Sequence, residues 1–598
     1  MSLGLGLFHR LGLGNVNPSR SRIYGVSFRD NGNGFTYYRE GLAPYGVNDT
    51  IPESMLSVHN KMKRCVTGYD GKLKYYLDPT NSMFKEGSFR NIATDQDGTV
   101  TTIDRNYGAG TITLTVSPDS GKELDESQVG CYIRVYDRGE GSSHNMWYAL
   151  ITAINTGTNT ITLSHPHLTF LNGGVYEDWG TVGNGNTCYY MIGDAKLGGQ
   201  DGNVMVEIPT IYYRYSYGRY QHDGNNDYQT HEISLRPFPG ARRYPKRYMS
   251  AFEGVSATYT SDKYTPYNGW SGIWDDTNKK WTNIINESTG NKIASVAGYY
   301  PKTFLSLDGF RNACKDIDAG YHQYDFTTNF IIQVLMLIEK ANGNTQSTIG
   351  AGISNVTSAR WSEYNGYRTI RRTGDTICFG NATGKLDDTG LNTVMSLTSA
   401  DPYVPYQYPI QGLSYRGIEN PYGHIFKWVD GLEFVNNVID TDKQYLNAYA
   451  HKSIEGGDLN IAELVSHTYD TLAGNPDHTP PIPPDSHYGI LKGINGDELQ
   501  ILTWLWQSSP DAKWVDKSRY WGQASPELLP NDSGASKTGY FYDYFYTPSS
   551  AIGNKTLRVL AVGGHAYNGV LVGAFYVHSA YGSGYTHAYY GGRLCKKS

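Results

Sequence analysis

The sequence predicts a β-rich α+β fold, on the basis of its composition, its alternating apolar pattern and its few helix-like segments. The 598 residues include 51 Tyr and 69 Gly, and only 18% are charged, which favours strands and loops over long helices. Apolar and polar residues alternate between about 98 and 169, as they do in half-buried strands. The chain is also too long for one ordinary core, so several domains or one large decorated domain are expected.

Residues 1–21 repeat a flexible apolar pattern of Leu and Gly. The pattern suits a peptide that docks into a neighbouring subunit, although a disordered terminus explains it equally well. This stretch lacks the apolar core and the small-residue cleavage site of a secretory signal. Residues 22–95 are expected to form an entry module, with strands at 23–28 and 73–77 between turns rich in Gly, Asn and Pro.

Strict period-two alternation sets residues 96–198 apart from their neighbours. Four strands are expected in this block, at 111–116, 132–136, 147–152 and 159–163. Such a run predicts a small antiparallel barrel or sandwich that is inserted into a larger module. Beyond it, 204–215 is predicted to form one long strand, in which Pro209 marks an edge or a bulge.

The remaining residues, 199–598, are expected to form one large domain. Two helices are predicted, at 303–314 and 325–340, and Gly343 just past the second is typical of a helix end. The longest apolar run, 330–338, is too short to cross a bilayer, so no membrane insertion is expected.

The charge balance and the cysteines exclude several classes of function. The formal net charge is −6 and Lys and Arg are dispersed, which argues against a nucleic-acid partner. Six cysteines lie far apart along the chain, and no two of them have the spacing of metal ligands. Free thiols are therefore expected, as in a protein that is made in a reducing cytoplasm. The His residues have no zinc spacing either, and no cofactor is expected.

The terminal segment 565–590 has the composition of a binding face. It contains no Lys, Arg, Asp or Glu and is rich in Tyr, His, Asn, Ser and Thr. These residues supply rigid amphipathic contact area and adaptable hydrogen bonds. Glycines allow tight turns, and four aliphatic residues are expected to anchor the segment on the core, namely Val570, Leu571, Val572 and Val577.

Thirteen side chains remain as candidates to face a ligand: His565, Tyr567, Asn568, Tyr576, His578, Ser579, Tyr581, Ser583, Tyr585, Thr586, His587, Tyr589 and Tyr590. Packing inside the fold is the alternative for each of them, above all for Tyr576, which follows Phe575. Tyr rings bury a large area at little cost in side-chain entropy, and they also stack on sugar faces. A glycan partner is therefore as reasonable as a protein.

The run from Tyr415 to Gly431 resembles the signature of the C-type-lectin-like and formylglycine-generating-enzyme-like fold, as used in phage tail fibres. Pieces similar to the same family of tail proteins flank it, at Cys65 with 75–79, 203–209, 321–326 and 591–595. The resemblance covers most of 22–598 apart from the insertion. It implies a lectin-like domain over 199–598, in which Trp428 fills the core and Asn420 holds a turn.

The same resemblance implies a receptor-binding protein of the phage tail, located in the virion and assembled in the host cytoplasm. It implies a homotrimer that attaches to other tail or baseplate proteins through its N-terminus and recognises a host-surface glycan or protein. The segment 557–595 is similar to regions that retroelements diversify. Substitution of the adenines in adenine-adenine-pyrimidine codons cannot yield Lys, Glu, Gln, Met or Trp, and 565–590 lacks all five. Chance or ordinary selection can produce the same absence.

Other functions stay open at this point. A structural tail or baseplate protein without receptor contact is one alternative. A glycan-degrading tail spike is another, but it needs two facing carboxylates, and the candidates Asp430 and Glu433 have no evident pairing. The oxidase chemistry of the same fold needs a cysteine pair, and only Cys595 lies in the C-terminal region, so no enzyme is expected. Residues 419–421 resemble the calcium-ligand triplets of lectins, although in a different order.

Overall fold

The structure, a computed structural model, describes residues 22–30, 35–91, 94–106, 111–137, 146–164, 168–170, 187–219, 227–260, 263–266, 271–275, 280–285, 292–315, 320–354, 372–385, 412–440, 443–450, 491–492, 498–499, 545–546 and 555–598. Strands outnumber helices in this part of the chain, which confirms the predicted β-rich class. Among these residues, no helix is both long and apolar enough to cross a membrane.

The strands are numbered along the chain. Up to the end of the insertion they are β1 Tyr24–Asp30, β2 Phe35–Glu40, β3 Lys63–Thr67, β4 Leu73–Tyr76, β5 Gly98–Asn106, β6 Thr111–Pro118, β7 Cys131–Asp137, β8 Met146–Asn155, β9 Thr160–Ser164, β10 Leu168–Phe170 and β11 Cys188–Lys196. Those that follow are β12 Asn203–Ile208, β13 Ile211–Arg219, β14 Asp227–Ser234, β15 Arg242–Tyr244, β16 Arg247–Ser250, β17 Val255–Thr260, β18 Lys263–Pro266, β19 Ser271–Asp275, β20 Lys280–Ile285, β21 Lys292–Ala294, β22 Tyr321–Gln323, β23 Gly384–Lys385, β24 Leu413–Tyr415, β25 Ile418–Glu419, β26 Phe426–Asp440, β27 Lys443–Ala450, β28 Leu491–Lys492, β29 Glu498–Leu499, β30 Phe545–Tyr546, β31 Lys555–Val562, β32 Val577–His578, β33 Tyr590–Gly591 and β34 Leu594–Lys597. The α-helices are α1 Leu307–Lys315, α2 Phe326–Lys340 and α3 Thr345–Thr348.

Strands β5 to β11 form a closed antiparallel ring. The order is β8-β7-β11-β5-β6-β9, β9 pairs back onto β8, and β10 adds to β8. The four strands expected in this block are all present, within β6 to β9. Side chains such as Leu114, Ile133 and Leu163 fill the ring with a core of its own. Closure removes the free edges that an open sheet of this size would expose.

The main core lies among two sheets and α2. One sheet has the order β15-β13-β14-β1-β2 and the other β22-β34-β16-β12-β3-β4. The expected helix at 325–340 is confirmed as α2. It begins after Asp325, whose Oδ1 accepts a hydrogen bond from Thr328 N (2.9 Å) and caps the first turn. The other expected helix, α1, begins only at Leu307, where Ser306 Oγ accepts from Gly309 N.

The prediction of one long strand at 204–215 is wrong. The chain forms β12 and β13 instead, which pair in different sheets. The break falls at Pro209, which has no N–H to continue a ladder. Residues 209–210 therefore connect the two sheets that enclose the core.

The terminal segment lies between strands β31 and β34. At its start β31 pairs with β26, where Trp428 lies opposite Ala561. Near its end β33 pairs with β26 in parallel, and β34 enters the second sheet between β16 and β22. Both ends are thus fixed by backbone ladders in the interior.

Candidate functional site

The end of the terminal segment is locked to the run from Tyr415 to Gly431. Arg593 is fully buried, and its guanidinium donates to the carbonyl oxygens of Glu419, Asn420 (2.8 Å) and Ser250 (3.3 Å). A Cβ on Gly592 would lie 2.8 Å from the ring of Phe310, so only glycine fits there. These contacts hold the backbone that follows the segment.

Three buried aromatic rings form a floor beneath the segment. The ring of Tyr590 stacks on Trp428 (centroids 4.5 Å apart) and on Phe426 (4.8 Å). Trp428 also donates from Nε1 to the carbonyl oxygen of Leu305 (3.1 Å). We refer to Phe426, Trp428 and Tyr590 as the aromatic floor. Trp428 therefore fills the core, as expected.

Three half-buried tyrosine rings contact this floor and a half-buried histidine ring lies against two of them, and we call Tyr581, Tyr585, His587 and Tyr589 the ring face. Tyr581 and Tyr585 are stacked in parallel with centroids 3.5 Å apart and planes at 2°. Both rings make edge-to-face contacts with Tyr590, with ring centroids 5.9 and 5.4 Å apart. His587 and Tyr589 form a second pair at 4.0 Å. Each ring is thus supported by another ring and still reaches the surface.

A short turn, Gly569–Leu571, precedes the ring face and corrects one expectation. Val572 and Val577 are buried and anchor the segment, and Leu571 is half-buried. Val570, however, is 67% exposed and anchors nothing. The turn points this one side chain of the aliphatic run outward, which its composition could not indicate.

The structure divides the thirteen candidate side chains into three groups. Tyr567 and Thr586 are exposed, and the half-buried members are Asn568, His578, Tyr581, Tyr585, His587 and Tyr589. The buried members are His565, Tyr576, Ser579, Ser583 and Tyr590.

The five buried members are not available as contacts. Tyr576 and Tyr590 belong to the core cluster around the aromatic floor, and Ser583 Oγ donates inward to Asp308 Oδ2 (2.7 Å). The ring of His565 packs between Phe426 and Tyr589. The assignment of these residues to ligand contact is therefore corrected, because their side chains lie in the interior.

The segment carries no ionised group near neutral pH. Burial lowers the pKa of His578 to about 3 and that of His565 well below its usual value, and the neighbouring imidazoles lower the His565 pKa further. Partial burial lowers the pKa of His587 as well. Burial raises the pKa of Tyr585 and Tyr589. The surface is therefore polar but uncharged.

Residues 419 and 420 use their side chains within the fold. Glu419 accepts from the backbone N–H groups of Gly374 (2.9 Å) and Thr376 (2.7 Å), and burial together with Asp375 raises its pKa to about 7. Asn420 has a positive φ of 43° and accepts at Oδ1 from Leu413 N (3.3 Å), so it holds a turn as expected. No cluster of three or more His, Cys, Asp or Glu in the described part of the chain could hold a metal ion. The calcium interpretation has no support in this geometry.

Asp430 is also accounted for by the fold. Its carboxylate pairs with Arg311 (2.8 Å) and accepts from Gly431 N, and the side chain is buried. An acid catalyst for glycan cleavage has to reach its substrate, and this carboxylate does not. The side chain of Glu433 lies outside the described residues.

A buried ion cluster beside the floor could not be predicted from the sequence. Glu253 pairs with His424 Nδ1 (2.6 Å) and with Lys427 Nζ (3.1 Å), and Lys427 also donates to the carbonyl oxygen of Gly423. Ala566 N in turn donates to the carbonyl oxygen of His424 (3.0 Å), which fixes the start of the terminal segment. No local pattern marks Glu253, which lies 171 positions from His424.

All six cysteines are free, and four of them are buried. Burial raises the pKa of Cys65 and Cys314, so these thiols are poor nucleophiles.

Comparison with known proteins finds no family model that matches the chain and no matching curated protein. The functional conclusion therefore rests on the residues and geometry given above.

Proposed function

We propose that this protein is the receptor-binding protein of a phage tail and that the ring face contacts the host surface. The observation that supports this proposal is a set of four half-buried, uncharged rings supported by a fully buried aromatic floor. Tyr is enriched among the residues that dominate binding energy at interfaces. An ordinary exposed surface carries charged side chains, and this one has none between residues 565 and 590.

The packing of the rings favours binding because it reduces the entropy lost on association. A free Tyr side chain is ordered when a ligand binds, at a cost of about 0.5–1.5 kcal/mol per side chain. Tyr581 and Tyr585 already stack on each other, and Tyr590 holds both from below. Such a face is largely preorganised for its partner.

The wider proposal follows from the resemblance of residues 415–431 to the C-type-lectin-like signature of phage tail proteins. Residues 199–598 form a C-type-lectin-like domain, the N-terminal residues attach the protein to the tail or baseplate, and the assembled virion carries it as a homotrimer. Retroelement-driven variation of the terminal segment would change the receptor, while Phe426 and Trp428 of the floor lie outside that segment and would be kept. Several copies on one particle raise the apparent affinity by orders of magnitude without new contacts.

Adsorption of purified protein to host cells tests this proposal. The variant replaces Tyr581, Tyr585 and Tyr589 by Ala, and the control replaces Tyr45 by Ala, a partly buried tyrosine of the main core. The three rings pack against the core cluster, so the variant should lose some stability as well. Binding is therefore compared at a temperature at which circular dichroism shows all forms folded. A variant that binds like wild type would move the binding site to the insertion or refute the adhesin function.

A further inference from the structure

Hydrogen bonds hold the turn Gly569–Leu571 at both ends, and Gln346 Nε2 donates to the carbonyl oxygen of Val572 just beyond it. Gly569 N donates to the carbonyl oxygen of Ser354 (2.7 Å), and Gln346 Nε2 donates to the carbonyl oxygen of Gly569 (3.0 Å). Asn568 Oδ1 accepts from His565 N (2.9 Å). Contacts from α3 and from the segment itself therefore fix the direction in which the turn points.

This fixed turn presents apolar surface to water. Val570 is 67% exposed, the highest value among the exposed large hydrophobic residues that the structure describes, and Tyr567 is 41% exposed. A single exposed aliphatic side chain needs no explanation by itself. Here hydrogen bonds fix the turn that carries Val570, and Tyr567, three positions earlier in the chain, is also exposed.

The turn continues into the ring face. Leu571 packs against the same core cluster as Tyr581, Tyr585 and Tyr589. The ring of His565 lies 4.7 Å from that of Tyr589, and its Nδ1 accepts from Tyr567 N (3.2 Å). Tyr567 and Val570 thus extend the ring face at one end by an apolar patch, which we call the tip.

We infer that the tip enters an apolar recess on the receptor and that the receptor is therefore a protein. This inference depends on the proposed function of the ring face. A sugar is bound by stacking on aromatic rings and by hydrogen bonds to its hydroxyl groups, and the isopropyl group of Val570 offers neither. Between residues 565 and 590 there is also no Asp, Glu, Lys or Arg, so an acidic or basic glycan would find no counter-charge in the segment.

Two matched substitutions test the role of the tip. Val570→Ser should weaken binding about five- to tenfold, since most of the transfer free energy of one aliphatic side chain is lost. Val570→Leu keeps the apolar surface and should bind within about twofold of wild type. Leu73→Ser removes an exposed aliphatic side chain from β4, where it is 37% exposed, and should leave binding unchanged. Equal binding by Val570→Ser and wild type would overturn the inference.

The chemistry of the receptor is tested on the host cells. Protease treatment should abolish binding of the wild-type protein, and periodate, which oxidises glycans, should not. Loss of binding after periodate alone would identify a glycan receptor and overturn the inference. The ring face would still be the contact site in that case if the triple Ala variant fails to bind. Binding by that triple variant would refute the proposed function itself. Light scattering of Val570→Ser tests whether the tip instead contacts another copy of this chain. A changed oligomeric mass would assign the tip to a subunit contact and overturn the inference.

Discussion

Replacement of Glu253 by Gln should lower the free energy of unfolding by about 3 to 5 kcal/mol at pH 7, because it leaves a buried cation without its partner. Lys427 is fully buried, and Glu253 is the carboxylate that pairs with it. The amide keeps the shape of the side chain but not its charge. Removing one partner of a buried pair is far more costly than removing both.

The pKa of Glu253 gives an independent value for the contribution of this carboxylate to the free energy of unfolding. Burial alone would raise this pKa, but His424 and Lys427 hold it at about 2, below its ordinary value of 4.5. The difference corresponds to about 3 kcal/mol, at 1.36 kcal/mol per pKa unit. Because the folded pKa is the lower one, this stabilisation is present above pH 4.5 and is lost as the pH falls towards 2. The stability of the Glu253→Gln variant should therefore not show this loss between pH 4.5 and 2.

Lys427 should give the Glu253→Gln variant a second change, in the pH dependence of its stability near neutrality. Burial lowers the pKa of Lys427 to about 8 even with Glu253 beside it. Without the carboxylate this pKa should fall further, so the folded variant releases the proton more readily. Its stability should then rise with pH across neutrality, since the unfolded state binds more protons there.

Urea denaturation followed by tryptophan fluorescence at pH 3, 7 and 9 measures these effects. The double variant Glu253→Gln with Lys427→Met removes both charges and should recover part of the loss, as apolar replacements of buried pairs do. The reasoning is refuted if Glu253→Gln matches wild type in stability at pH 7 and keeps the same acid profile.

Two further substitutions test how the segment is supported. Trp428→Ala should destabilise the protein by about 3 to 5 kcal/mol in denaturant titration, while Trp428→Phe should lose less because it can keep a ring on Tyr590. Equal stability of wild type and Trp428→Ala would contradict the position of this ring in the core. Gly592→Ala should cost about 1 to 3 kcal/mol, since its Cβ would overlap the ring of Phe310. Gly584→Ala is the matched control, because nothing lies within 4 Å of its Cβ position; comparable losses in both would show that the close packing is not responsible.

Local sequence patterns predicted several individual elements of the fold. Alternation predicted the strands β6 to β9, because it records which side of a strand is buried, and the apolar run with Gly343 beyond it predicted α2. The same approach failed at residues 204–215. There Pro209 was expected to mark an edge or a bulge within one strand, but the chain passes from one sheet to another at this residue, which only the pairing partners of β12 and β13 determine.

The sequence by itself determined that the terminal segment is uncharged and rich in rings, and this composition is what favours binding. Only the tertiary structure decided which rings reach the surface. Tyr589 and Tyr590 are adjacent and chemically identical, yet Tyr590 pairs beside Phe426 and is buried, while Tyr589 remains half-exposed. The same holds for Val570 and Val572, of which only the second is buried. Burial depends on partners distant in the sequence, and no composition of a single segment can specify them.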